Sequence, residues 1–279
     1  MIKKILPIVI IACTLIFTGC NSTNSVNNTI IGADLVKYNL DGSSDFGFNV
    51  SMITKDKDTA VEFINFTGEN TQGLAVTLSD DSYETIKDLK HNGYFLRLLG
   101  FTCSTGDSNV VIDGVNLSID GNDTYVTFKT PIKHNVEKKQ HDDVQAMNYP
   151  LFISTNSYKD TEYAFEYYTE TDINIEDFSF NDFLTVSNTE ISVNGELIGS
   201  PESAFPLSVE KDSTISIKCN LNLKDNIAST NYDNIYCDSL LAYTSDGTQK
   251  ILHNNLVSQG VSNEEDAKNT IDLILDNIQ

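Results

Sequence analysis

Apolar and polar residues alternate along much of the chain from Ile30 onward. Phe46, Phe48, Val50 and Met52 are interleaved with Gly47, Asn49, Ser51 and Ile53, and Leu74, Val76 and Leu78 with Ala75 and Thr77. Successive side chains of a strand point to opposite faces, so this period predicts strands with one face on a core and the other toward water. Val61 to Phe66 is a further strand candidate with imperfect alternation, and the apolar run Tyr94 to Thr102 predicts a buried strand. Between Ser82 and Gly93 the period lengthens. Tyr83, Ile86 and Leu89 fall at helical spacing, Ser82 can cap the start and Asn92-Gly93 suits the end, so a short helix is expected there.

Turn chemistry divides the strands. Asp113-Gly114 stands between VVI and VNLSI, and Asp120-Gly121-Asn122-Asp123 between that segment and TYVTFKT. Asp-Gly flanked by apolar alternation is a hairpin signal. Residues 133–148 are polar and lack a period, which suggests a domain boundary. Beyond it Tyr163, Phe165 and Tyr167 alternate, Asn194-Gly195 separates EISV from ELIG, and Asp246-Gly247 separates LLAY from KIL. The clearest strand is Ile215 to Leu223, with apolar residues at every second position. Strands at this spacing predict antiparallel sandwiches rather than βαβ units. The expected fold is mainly β, with two antiparallel β-sandwich-like domains over 30–140 and 149–260 and one short helix in the first. An amphipathic helix is expected over 262–279. Ser262-Asn263-Glu264-Glu265 forms a capping box, and Ala267, Ile271, Ile274 and Ile278 share one face. That face is expected to pack on the second domain, the alternative being a docking helix for a partner. EFINF (62–66) resembles EDFSF (176–180) and VIDGVNL (111–117) resembles SVNGELI (192–198). The two offsets disagree, which leaves open a duplication with an insertion or chance likeness.

The N-terminus follows a different pattern. Lys3 and Lys4 precede an uncharged apolar run, Ile5 to Phe17. As a helix this run is about 20 Å long, short of the roughly 30 Å hydrocarbon core of a bilayer, which fits a signal peptide over 1–19 better than a permanent span. It ends in Phe17-Thr18-Gly19-Cys20. This resembles the lipobox of bacterial lipoproteins, with Phe17 where that family prefers Leu. The resemblance implies that the Cys20 thiol receives a diacylglyceryl group and that a signal peptidase cuts just before it. The alternative is an ordinary secretory peptide with an incidental cysteine. Residues 20–29 would be the lipidated cysteine and a polar tether.

Composition narrows the function classes. The chain has a net charge of −22, and loss of Lys3 and Lys4 with the signal peptide makes it −24. At 40% hydrophobic residues it is not a disordered composition. Phosphate binding needs clustered Lys and Arg, and Arg97 is the only arginine, so no nucleic-acid partner is expected. The acidity suits cations and basic partners. Outside the signal peptide and Cys20, the cysteines are Cys103, Cys219 and Cys237. Cys219 and Cys237 are close enough in sequence to close a disulfide, whereas the alternation explains Cys219 as a core residue.

Catalytic and metal motifs are sparse. The histidines are His91, His134, His141 and His253, and only His141-Asp142-Asp143 forms a local cluster with carboxylates. No GxSxG, HExxH or glycine-rich phosphate loop occurs. Asp120, Asn122 and Asp123 resemble a calcium loop in residue type without its spacing. No catalytic residue, cofactor or metal site is assigned from the sequence. Residues 149–183 hold ten aromatics: Tyr149, Phe152, Tyr158, Tyr163, Phe165, Tyr167, Tyr168, Phe178, Phe180 and Phe183. Tyr158, Tyr163, Tyr167 and Tyr168 are candidates for a sugar- or peptide-binding surface, against the alternative of a sandwich core. The functional expectation is an extracytoplasmic lipoprotein held to the cell membrane through Cys20, acting as a non-catalytic interaction or accessory module with a protein or cell-surface partner. A ligand-binding lipoprotein (sugar, peptide or cation) and an extracellular hydrolase are the alternatives.

Overall fold

In the computed structural model, residues 25–26, 28–136, 143–148, 162–180, 184–223, 234–259, 261 and 263–277 are described. The strands of the first half are β1 (Ser25–Val26), β2 (Thr29–Ile31), β3 (Val36–Gly42), β4 (Asp45–Thr54), β5 (Val61–Glu69), β6 (Ala75–Asp80), β7 (Lys90–His91), β8 (Tyr94–Ser104), β9 (Val110–Ile119) and β10 (Asn122–Val136). Those of the second are β11 (Val144–Ala146), β12 (Glu162–Thr169), β13 (Ile173–Phe180), β14 (Leu184–Val193), β15 (Glu196–Gly199), the short helix α1 (Pro201–Ala204), β16 (Leu207–Val209), β17 (Thr214–Leu223), β18 (Asn234–Ser245) and β19 (Thr248–Gln259). Helix α2 (Glu264–Asp276) follows. The fold is mainly β and built as packed, largely antiparallel sheets, as the alternation predicts.

The first sandwich packs the sheet β1-β2-β4-β8-β6 on β3, β10, β9 and β5. Its core takes Phe46, Phe48, Val50 and Met52 from β4, Leu99, Phe101 and Cys103 from β8, and Val36, Tyr38 and Leu40 from β3. The second packs β11-β12-β17-β14-β15 on β13, β16 and β18. Its core takes Tyr163, Phe165 and Tyr167 from β12 and Ile215, Ile217, Cys219 and Leu221 from β17.

The two sandwiches share one sheet. β19 runs antiparallel to β18 along its whole length. On its other edge, β18 pairs in parallel with β3 over Asn234–Cys237, then antiparallel with β13 over Ser239–Thr244. The hairpin β18–β19 is therefore a splint lying along both halves. Alternation lets one strand serve two cores: Ile235, Cys237, Leu241 and Tyr243 enter the second, while Tyr236 enters the first. There the Tyr236 hydroxyl accepts the Asn49 N–H at 2.8 Å, and its ring lies 5.2 Å from that of Tyr38.

Four sequence expectations change. Residues 82–92 do not form a helix. Tyr83 to Leu89 make isolated turn hydrogen bonds, and the Ser82 hydroxyl, instead of capping, accepts the N–H of Leu98 at 2.9 Å. Asn92-Gly93 is the β7–β8 hairpin turn. Asp113-Gly114 is not a turn: β9 continues through it, with a register shift at Asp113 against both neighbouring strands. Helix α2 packs on the first sandwich, not the second. Ala267, Ile271 and Ile274 cover Ile30, Ile53, Leu96 and Leu98 on the outer face of the β4/β8 sheet, with Ile86 beneath. The helix is capped one residue later than expected, by Asn263, whose side chain accepts from the N–H groups of Glu265 and Asp266. The carboxylate of Asp272 fastens it to the β7–β8 hairpin through His91 Nε2 (2.9 Å) and Asn92 Nδ2 (2.7 Å).

The remaining turns behave as read. Asp120-Gly121, Asn194-Gly195 and Asp246-Gly247 all have positive φ at both positions, the requirement of the tight hairpin turn. One apparent repeat dissolves: VIDGVNL lies inside β9, whereas SVNGELI spans the β14–β15 turn.

Candidate functional site

The most concentrated polar chemistry lies at the seam, where the edge partner of β18 changes from β3 to β13. Backbone pairing with β3 stops at Cys237–Asn39, and pairing with β13 starts at Ser239–Phe180. Asp238 stands between them, fully buried. Its Oδ2 accepts the N–H of Asp41 at 2.6 Å. On the other side, β19 brings His253 opposite Leu240. His253 Nδ1 lies 3.1 Å from Asp41 Oδ2 and 3.6 Å from Asp238 Oδ2. One donor atom from each of Asp41, Asp238 and His253 lies within 4.8 Å of the others. Asn135 from β10 donates its amide to Asp41 Oδ1 at 2.6 Å and fixes that carboxylate.

Burial pushes the Asp238 carboxyl above its ordinary pKa, and the neighbouring Asp41 charge adds to the rise. The hydrogen bonds from His253 and the Asp41 N–H, with the His253 charge, act against both. The site is not sealed: the side chains of Asp41 and His253 keep 25% and 19% of their exposure. Next to it, His134 is settled in a separate network. Its Nε2 lies 2.8 Å from the Ser43 carbonyl, which can only accept, so Nε2 carries the proton. Nδ1 then accepts from the Tyr38 hydroxyl at 3.2 Å, and the ring stacks on Phe46 at 4.2 Å.

The residues singled out in the sequence lie elsewhere. Cys20 and Tyr158 fall outside the described residues, as do Tyr149, Phe152, Phe183, His141 and Asp142. Tyr163 and Tyr167 are buried core residues, so they do not form a binding surface. The physical reason is their period: with Phe165 they occupy the inward face of β12. Phe165 packs its ring 5.2 Å from Phe178 and 5.5 Å from Phe180. Tyr168, on the other face, is partly exposed and donates its hydroxyl to Asp212 at 2.8 Å. Asp143 pairs with Lys250. Asp120 holds the β9–β10 turn against the neighbouring loop by accepting the Ala60 N–H at 2.9 Å. Cys103, Cys219 and Cys237 are buried thiols outside any disulfide, so the suggested 219–237 bridge is not formed. Burial pushes the thiols of Cys103 and Cys219 up to about 12.

Sequence reading missed Asp41, Asp238 and His253 because Asp41 lies far in the chain from the β18–β19 hairpin that carries the other two. One signal was present: Asp238 is an acidic residue inside the largely apolar run IYCDSLLAY. A charge at such a position must meet a partner.

No family model and no curated protein matches the chain. Among solved structures, the titin domains Z1Z2 in complex with telethonin are similar at 10% identity, over 85% of this chain and 100% of that one, with a TM-score of 0.23. A chimeric titin Z1Z2 carrying an exogenous peptide from decorin is similar at 10% identity over 84% and 97%, with a TM-score of 0.23. The secreted serine protease VesC from Vibrio cholerae is similar at 7% identity over 67% and 50%, with a TM-score of 0.20. At these values none of the three bears on activity or partner.

Proposed function

We propose that the protein is a lipid-anchored, extracytoplasmic interaction module. The observation that carries this reading is Phe17-Thr18-Gly19-Cys20 at the end of an uncharged apolar run. Two acyl chains on one cysteine meet the requirement that stable anchoring needs more than one chain. The anchor also suits the body behind it. Strand β1 begins at Ser25, so the five peptide units from Cys20 reach at most about 18 Å, which keeps the first sandwich against the headgroups. An interaction role is supported by the far edge of the second sandwich, where β15 pairs only with β14 among the described residues and exposes Leu197 and Ile198. Exposed apolar side chains on a sheet edge are a ready contact for another protein.

Mass spectrometry of the full chain expressed in a bacterium tests the anchor. The expected product begins at Cys20 and carries a diacylglyceryl thioether, and Cys20→Ala leaves the protein unlipidated. An N-terminus at another residue, or an unmodified Cys20, would refute the proposal.

A further inference from the structure

We propose that Asp41, Asp238 and His253 form a binding site for a divalent transition cation of the zinc class, which clasps β3, β18 and β19 at the seam between the sandwiches. The inference does not rest on the lipid anchor.

The distances fit such an ion. Bonds of about 2.0–2.1 Å in a tetrahedral site place neighbouring donors roughly 3.3–3.4 Å apart. His253 Nδ1 is 3.1 Å from one carboxylate oxygen and 3.6 Å from the other. Two of the three donor separations are therefore close to those around a bound ion, and all three lie within 4.8 Å. Three protein donors would leave a fourth position for water, on the side where Asp41 and His253 reach solvent.

The donor set selects the metal. One imidazole nitrogen with two carboxylate oxygens suits zinc and its first-row neighbours, whereas calcium and magnesium prefer all-oxygen sites. Calcium would also need six to eight ligands, more than these three side chains bring.

The surroundings are arranged as around a metal site. Asn135 holds Asp41 by its other oxygen at 2.6 Å, and the Asp41 N–H holds Asp238 at 2.6 Å. Contacts of this kind orient ligands and are costly to remove from metal sites. Charge points the same way. Among the described residues, two carboxylates, one of them fully buried, stand beside one histidine. A dication would balance both carboxylates with the imidazole neutral.

The ion's role would be mechanical. It would tie the end of β3, from the first sandwich, to the hairpin that carries the second.

The test uses the full chain in detergent, stripped with chelator and titrated with zinc by calorimetry in a large excess of magnesium. The magnesium occupies the acidic surface without competing for a nitrogen-containing site. One zinc per chain is expected, with a rise in the thermal midpoint. Cobalt substitution should give the intense visible bands of a four-coordinate site. His253→Gln and Asp41→Asn, both at partly exposed positions, should weaken zinc at least about tenfold while leaving the circular dichroism of the apo protein unchanged. Asp238→Asn removes a buried charge and serves as a third variant if it folds. No stoichiometric zinc under magnesium, or zinc binding that survives both His253→Gln and Asp41→Asn, would overturn the proposal.

Discussion

His134 shows how a single residue's environment sets its chemistry. Its ring donates to Ser43, accepts from Tyr38 and lies on Phe46, and it is the acceptor role toward Tyr38 that requires the neutral form. Burial lowers its pKa, and the Ser43 carbonyl and the Asp41 charge oppose this only in part. The sign of the stability effect follows. The unfolded chain takes up this proton first as pH falls through about 6.5, so the contribution of the neutral ring is intact above that value. It is lost between there and the lower folded pKa. An NMR titration should find His134 titrating below an ordinary histidine. Urea midpoints should fall less steeply below pH 6.5 in His134→Asn than in the parent. A folded pKa at or above the ordinary value would contradict the assigned tautomer. None of this was legible in the sequence, where His134 stands in a polar stretch. Its burial comes from β10 continuing to Val136 and pairing in parallel with β3.

At the scale of the element, identical dipeptides meet different fates. Asp120-Gly121 turns because both residues adopt positive φ, and Asp113-Gly114 does not because Gly114 is paired on both sides, with Thr67 of β5 and Thr127 of β10, and both ladders resume at Ile112. Gly114 is used for another property: a Cβ there would lie 2.6 Å from the Tyr125 hydroxyl, so the missing side chain makes room for that ring. Local patterns report what a segment can do, while its neighbours decide which option is taken. The same holds for residues 82–92, whose helical spacing is real but whose cap is taken by β8. Strand β5 contains a position where no such choice exists. Gly68 sits at a register shift with φ of +129°, and a Cβ there would come within 2.0 Å of the Val111 carbonyl. Gly68→Ala should therefore destabilise the protein by about 3 kcal/mol, through an unfavourable backbone conformation and a clash with an atom that cannot rotate away. Chemical denaturation measures it, and Gly73→Ala is the control. Gly73 also has positive φ but open space around it, and should cost less.

At the scale of the whole molecule, the alternation and turn signals conveyed two sandwiches but not how the chain distributes itself between them. The first is completed by Tyr236 and helix α2, both from the end of the sequence, so a boundary near residue 140 separates cores and not foldable pieces. Long-range closure of this kind leaves no local trace, because β3 reads as an ordinary strand whether its neighbour is ten or two hundred residues away. The physical consequence is cooperativity. Unfolding the first sandwich strips β3 from β18 and uncovers Tyr236. Unfolding the second removes Ile235, Cys237, Leu241 and Tyr243 from their core and with them the support of the same strand. Neither can open while the splint stays intact, so the full chain should show one calorimetric transition, with equal calorimetric and van't Hoff enthalpies. Tyr236→Ala should lower that single midpoint, at a cost of about 3–5 kcal/mol, even when unfolding is followed by a probe in the second sandwich. A fragment covering 30–140 should bind hydrophobic dye and lack native-like amide dispersion, since the outer faces of Ile53, Leu96 and Leu98 would lose their helix. Two separable transitions, or a folded 30–140 fragment, would mean that the shared hairpin joins the sandwiches without coupling them.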